Sequence, residues 1–184
     1  VKETDYSKNQ AKWTPVFGPA PDQLLPGQVF KALQPLFFSD KLKIGHNIKF
    51  DLKSIAKYFR GKVPSKPFFD TLMAAFVIDN RNKNALGLAD VSKKYLKIEV
   101  VKGVGAQVEV HSFKDVAHYS GFDAEVTWKL YEVLAPQLEG SLKRVWNLEM
   151  DVVAALCDME LTGATLDVKG LEDLKKKLEE FSIL

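Results

Sequence analysis

Three aspartates stand where a folded chain can least easily leave them alone. Asp70 separates Phe68-Phe69 from a strongly apolar stretch, Asp51 follows the short strand-like run GHNIKF, and Asp123 follows Phe122 inside a helical pattern. An unpaired carboxylate buried among apolar groups costs on the order of several kcal/mol. Any fold must therefore expose each of them, cap a helix with it, or gather it into a polar centre. N-capping accounts for Asp51 and Asp70, both near strand-to-helix junctions, and a solvated helix position accounts for Asp123. A shared functional centre accounts for all three, and both accounts stand at this point.

The pattern around them alternates short strands with helices. Pro15, Pro19, Pro21 and Pro26, with Gly18 and Gly27, exclude a long helix before residue 28. Lys12 to Gly18 is predicted as a short edge strand. Val29 to Phe38 has helical spacing, with Pro35 set to kink or end it. Lys43 to Gly45 is predicted as part of a buried strand, and Leu52, Ile55, Ala56 and Phe59 share a helical face. Phe68 to Asp79 should be a strand end running into a buried helix, and Leu86 to Leu96 a short amphipathic helix. Residues 97 to 111, with Gly103 and Gly105, are expected to be a mobile connection. Ser112 to Leu138 should be a long helix whose weak point is Gly121. After Gly140 the character changes. An amphipathic helix is expected to stop at Gly163, and a last one to start at Asp167 with heptad-like Leu171, Leu174, Leu178 and Phe181. A domain boundary is placed near 140 to 145.

Composition narrows the class. Hydrophobic residues at 46% and charged residues at 27% exclude disorder, collagen and coiled coil as the main theme. A net charge of +2 rules out a bulk electrostatic case for nucleic-acid binding, so any such site must be a local patch. The single Cys157 cannot form an internal disulfide. No apolar run is long enough to cross a bilayer, and the polar N-terminus has no signal-peptide core. These features predict an intracellular domain with no membrane partner. The chain opens on Val1 and closes on SIL inside a helical pattern, which predicts a piece of a longer polypeptide.

Two spacings bear on chemistry. Asn47 and Asp51 are four apart, and so are Tyr119 and Asp123, which on a helix puts each pair on one face. A carboxylate with a tyrosine hydroxyl one turn away can hold a divalent cation and orient its water. Such hard oxygen ligands suit Mg²⁺ or Mn²⁺. Zinc, phosphate-loop and dinucleotide patterns are all absent. His46, His111 and His118 are scattered and expected to be structural or exposed.

The runs IGHNIKFDLKSIAKYF, PFFDTLMAAFVID, LGLADVSKKYL and VAHYSGFDAEVTWKLY resemble, in order and separation, the 3′–5′ proofreading exonuclease domain of family-A DNA polymerases. Asn47 with Asp51 resembles the second exonuclease motif, Tyr119 with Asp123 the third, and Asp70-Thr71 the element between them. Glu160, Gly163, Leu166 and Asp167 resemble the start of the polymerase region at the thumb base. The resemblance implies an α/β, ribonuclease-H-like fold with a mixed sheet flanked by helices. It divides the chain into an exonuclease domain, 1–140, and the start of a polymerase domain, 141–184. It also implies hydrolysis at DNA 3′ ends by two metal ions, inside a bacterium, a phage-infected cell or an organelle. Asp51 and Asp123 are then metal ligands, and Tyr119 orients the attacking water. Asn47 contacts the DNA or organises Asp51, and Asp70 and Thr71 play supporting parts. The partners implied are a single-stranded 3′ end, a primer-template and the rest of the same polypeptide. The family's Asp-x-Glu first motif has no match before Asn47, so it is expected upstream of Val1, on a strand this chain lacks. An inactive exonuclease-like structural domain and a free-standing RNA 3′–5′ exonuclease are the alternatives.

Overall fold

The computed structural model describes residues 2–5, 12–15, 24–81, 84–100 and 111–182. The architecture is mixed and mostly helical. Strands β1 (Lys2–Asp5) and β2 (Lys12–Pro15) pair antiparallel, Lys2 opposite Pro15. Strands β3 (Lys43–Gly45) and β4 (Phe68–Asp70) form a separate parallel pair, Ile44 opposite Phe69 and Gly45 opposite Asp70.

The three residues of β4 organise the core. Successive strand side chains point to opposite faces. Phe68 joins Ile48, Leu52, Val153 and Cys157 in one apolar cluster. Phe69 joins Ala74, Ala75, Val91, Val126, Leu130, Leu134, Leu138 and Trp146 in the other. Around this pair pack α2 (Ile48–Ala56), α3 (Thr71–Ile78), α4 (Leu88–Tyr95), α5 (Phe113–Leu134) and α6 (Lys143–Thr162). Phe69 meets Tyr131 edge-on at 4.8 Å and Trp146 at 4.7 Å, so β4, α5 and α6 share one aromatic contact. Helix α1 (Pro26–Phe37) has no buried residue and rests on the 3₁₀ turn Lys57–Phe59, with Phe30 stacked on Tyr58 at 3.8 Å. Helix α7 (Val168–Ser182) follows the last turn.

Several expectations shift by a few residues for identifiable reasons. Helix α1 begins at Pro26, before Val29, because proline at a first helical position forgoes only an unpaired N–H. Pro35 falls in its last turn, and the helix ends two residues later. The long helix stops at Leu134 and tightens into a 3₁₀ turn over Ala135–Leu138, where Pro136 has no N–H to continue the α pattern. Asn47 is not helical. It caps α2 in the left-handed conformation, φ 59°, so the shared-face argument for Asn47 and Asp51 does not apply. The strand expected over Lys12 to Gly18 is described only as far as Pro15, and most of the connection expected over 97 to 111 lies outside the described residues. Gly163, φ 71°, ends α6, and Asp167 Oδ1 accepts the Gly170 N–H at 2.9 Å at the start of α7.

Candidate active site

The site forms where β3 and β4 deliver their chains to α2 and α3. Asp70, 2% exposed, accepts four backbone N–H groups. Its Oδ1 takes Leu72 at 2.9 Å and Met73 at 3.4 Å, capping α3. Its carboxylate also takes Asn47 at 2.9 Å and Ile48 at 3.0 Å, which are the opening amides of α2. One carboxylate thus ties the N-termini of two helices together, and both helix dipoles favour its negative charge. Asn47 adopts its left-handed backbone at this junction, with its amide aimed at Asp70. Gly45 is required at the same corner. A Cβ there would lie 2.9 Å from Cγ1 of Ile48.

Held this way, α2 turns Asp51 towards a cavity of about 530 Å³. The cavity is lined by Ile44, Gly45 and His46 from the end of β3, by Leu88, and by Asp123, Thr127 and Trp128 along α5. Asp51 and Asp123, 72 positions apart in the sequence, therefore border one space. Oδ1 of Asp123 is buried without a hydrogen-bond partner. Apolar surroundings, and then the nearby Asp70 charge, push the Asp51 carboxyl above its ordinary range. The Tyr119 hydroxyl, one turn before Asp123 on α5, has a raised pKa. Partial burial is the main cause, followed by its hydrogen bond to Asp123 and that carboxylate's charge. Tyr119 and Asn47 do not line the cavity themselves. Asn47 is exposed at its place before α2, whereas Tyr119 reaches the space through Asp123.

Thr71 supports from below. Its hydroxyl is 2.9 Å from Nδ1 of His46 and 3.2 Å from the Gly45 carbonyl. Nε2 of His46 faces the Leu86 carbonyl at 2.9 Å, and since a carbonyl only accepts, Nε2 carries the proton. Burial lowers the His46 pKa against the opposing pull of Asp70, the Leu86 carbonyl and Asp123. The ring is thus neutral, with Nδ1 free to accept from Thr71. His46 is a cavity-lining residue that its sequence position did not single out. Thr127, one turn beyond Asp123 on α5, also lines the cavity and was not singled out in the sequence. Its hydroxyl is spent on the Asp123 carbonyl at 2.7 Å.

The donor set is hard oxygen throughout. Two carboxylates facing one cavity, one with an orphaned buried oxygen, fit part of a divalent-cation site. Among the described residues no group of three or more His, Cys, Asp or Glu side chains is placed to hold a metal ion. No helix among them is long and apolar enough to cross a membrane.

Comparison with known proteins bears on the same residues. The family model of the 3′–5′ exonuclease of family-A DNA polymerases matches residues 8–139. DNA polymerase I of Pseudomonas aeruginosa is 29% identical over 171 residues, covering 87% of this chain and 19% of the relative. DNA polymerase I of Chloroflexus aurantiacus is 32% identical over 176 residues, covering 88% of this chain and 18% of the relative. That of Borreliella burgdorferi is 29% identical over 151 residues, covering 78% and 16%. The chain spans less than a fifth of the length of each of these relatives. The match contains β3, β4, α5 and every residue that borders the cavity, and on it the chain belongs to the 3′–5′ exonuclease domain family of family-A DNA polymerases.

Proposed function

We propose that this chain carries one side of a 3′–5′ exonuclease centre that hydrolyses the terminal phosphodiester of a single DNA strand, within a ribonuclease-H-like fold. The observation that carries this reading is the shared cavity of Asp51 and Asp123, with the Asp123 oxygen buried and unpartnered. Asp123 and Asp51 would hold divalent cations, Mg²⁺ or Mn²⁺. Bound there, such ions polarise the phosphoryl oxygens and make water nucleophilic near neutral pH.

The chain's own groups have separable parts. The raised pKa of Tyr119 keeps its hydroxyl protonated through the physiological range, so it serves as a hydrogen-bond donor and orienter rather than a base. Asn47, exposed at the mouth of the β3–α2 turn, is the candidate contact to the strand's 3′ end. Asp70 and Thr71 fix the turn from beneath. Two carboxylates are fewer than a two-ion centre needs. We place the remaining Asp-x-Glu pair on a strand beside β3, whose edge away from β4 is unpaired among the described residues. Residues 141–184 would begin the polymerase region of a longer polypeptide that also binds primer-template.

The test is degradation of a 3′-labelled single strand by the full-length polypeptide with Mg²⁺. Asp123→Ala is expected to slow it at least a thousandfold, equivalent to about 4 kcal/mol of barrier. Nucleotide addition should be little changed. Equal loss of both activities would argue for a folding defect instead. Preferential attack on an RNA 3′ end would favour the RNA exonuclease alternative.

A further inference from the structure

We infer that Glu160 is a positioning residue of the exonuclease centre, acting through Lys49 and Lys53 to hold the helix that presents Asp51. The inference rests on the proposed function only for its kinetic arm. Glu160 lies on α6, beyond the residues matched by the exonuclease family model. Its two carboxylate oxygens are divided between the ammonium groups of Lys49 and Lys53, which lie 111 and 107 positions away in sequence on α2.

Two of the three charges in this clamp are not explained by their own helices. Glu160 sits in the last turn of α6, where the helix dipole disfavours an anion and no basic residue stands nearby along the helix. Lys49 sits in the first turn of α2, where the dipole disfavours a cation. Glu160 and Lys49 are each unfavourable locally and favourable across the helix pair, whereas Lys53, in the last turn of α2, is favoured by its own helix dipole as well. The surroundings make the contact a seat rather than a loose surface pair. Beneath it Val153 and Cys157 of α6 are packed against Ile48 and Leu52 of α2, and the Cys157 thiol approaches the Lys49 carbonyl at 3.9 Å. Both lysines pull the Glu160 carboxyl below its ordinary range.

Helix α2 is nine residues long, too short to be stable by itself. Its N-terminus is tied by Asp70, and its flank is tied by Glu160. Lys49 and Lys53 face α6, while Asp51, between them in sequence, faces the cavity. Releasing the flank leaves α2 pivoting on Asp70, and such a pivot displaces Asp51. The segment after the exonuclease match thereby sets the geometry of a site that lies within it.

The experiment uses the full-length protein with Glu160→Gln and with the reversed set Lys49→Glu, Lys53→Gln, Glu160→Lys. The reversed charges agree with both helix dipoles. Hydrogen–deuterium exchange is read over Leu52–Ala56 of α2 and Val126–Leu130 of α5. Glu160→Gln should speed exchange in α2 at least tenfold and leave α5 unchanged. It should lower kcat on a single strand about three- to tenfold at constant KM and raise the Mg²⁺ concentration giving half-maximal rate. The reversed set should restore all three. Unchanged α2 exchange, an equal change in both helices, or a defect that the reversed set does not repair would overturn the inference. Asp123→Asn runs alongside. If the unmutated protein and this variant degrade DNA equally, the functional assignment fails, and the exchange arm still judges the clamp.

Discussion

Asp70 and Asp51 show how two carboxylates of the same type come to opposite roles through their partners alone. Asp70 is the more buried, yet its charge meets four amide hydrogens and two helix N-termini. Asp51 lies at the cavity mouth with fewer donors, apolar neighbours and a like charge close by, so its carboxyl is raised. Below the ordinary carboxylate pKa both folded and unfolded chains are protonated, and its placement costs nothing. As pH rises, the unfolded chain loses its proton first, so folded stability falls until the raised folded pKa is passed. Asp51→Asn imitates the protonated form. In the absence of divalent cations it should melt higher than the parent at pH 7, with the gap closing near pH 3. Equal melting temperatures at pH 7 would show that the site does not strain Asp51. Both aspartates were visible in sequence as carboxylates in apolar runs. Which one caps helices and which faces a cavity was not, because the deciding amides of Asn47 and Ile48 come from 23 and 22 positions away.

At the scale of elements, α5 carries one wall of the cavity and also the chain's most evident local weakness. Ser112 opens the helix by accepting the Asp115 N–H at 3.1 Å. Val126, Leu130 and Leu134 then bury one stripe of it, while Tyr119 and Asp123 share another. Gly121 lies within the continuous helix between those two residues, and a Cβ there would meet nothing within 4 Å. Gly121→Ala should therefore stabilise the protein by about 0.5–1 kcal/mol, read as a higher urea midpoint with an unchanged slope. A fall in stability would mean that Gly121 has a packing role. This helix and its weak point at Gly121 were plain from the sequence. The turn between β3 and α2 was not, since a left-handed Asn47 follows from Asp70 and Ile48 crowding one corner rather than from any local run of residues.

For the whole molecule, the segment after residue 140 differs in sequence character, yet α6 is packed into the same interior as α2, β4 and α5. Trp146, 7% exposed, reaches the Phe69 ring, and Val153 and Cys157 close the second cluster. Trp146→Ala removes the shared aromatic contact and should cost about 3–5 kcal/mol, measured by denaturant unfolding. Loss should be seen in the signals of α2 and α5 together. Unfolding of α6 alone, with α5 intact, would show that the two halves are energetically separate. Helix α7 differs, for Leu171, Leu174, Leu178 and Phe181 all remain exposed along it.

The amino-acid sequence by itself determined what depends on neighbours a few positions apart. The strands at Lys43–Gly45 and Phe68–Asp70, the stop at Gly163, the cap at Asp167 and the shared face of Tyr119 and Asp123 all follow from side-chain periodicity and backbone preference. Only the tertiary structure decided that Asp51 and Asp123 border one cavity, that Asp70 serves two helices, and that Glu160 reaches back to Lys49 and Lys53. Those arrangements join residues separated by 22 to 111 positions. No periodic pattern records them. They exist because the alternating faces of a three-residue strand, β4, sort two apolar clusters to opposite sides and draw the helix ends together at its last residue.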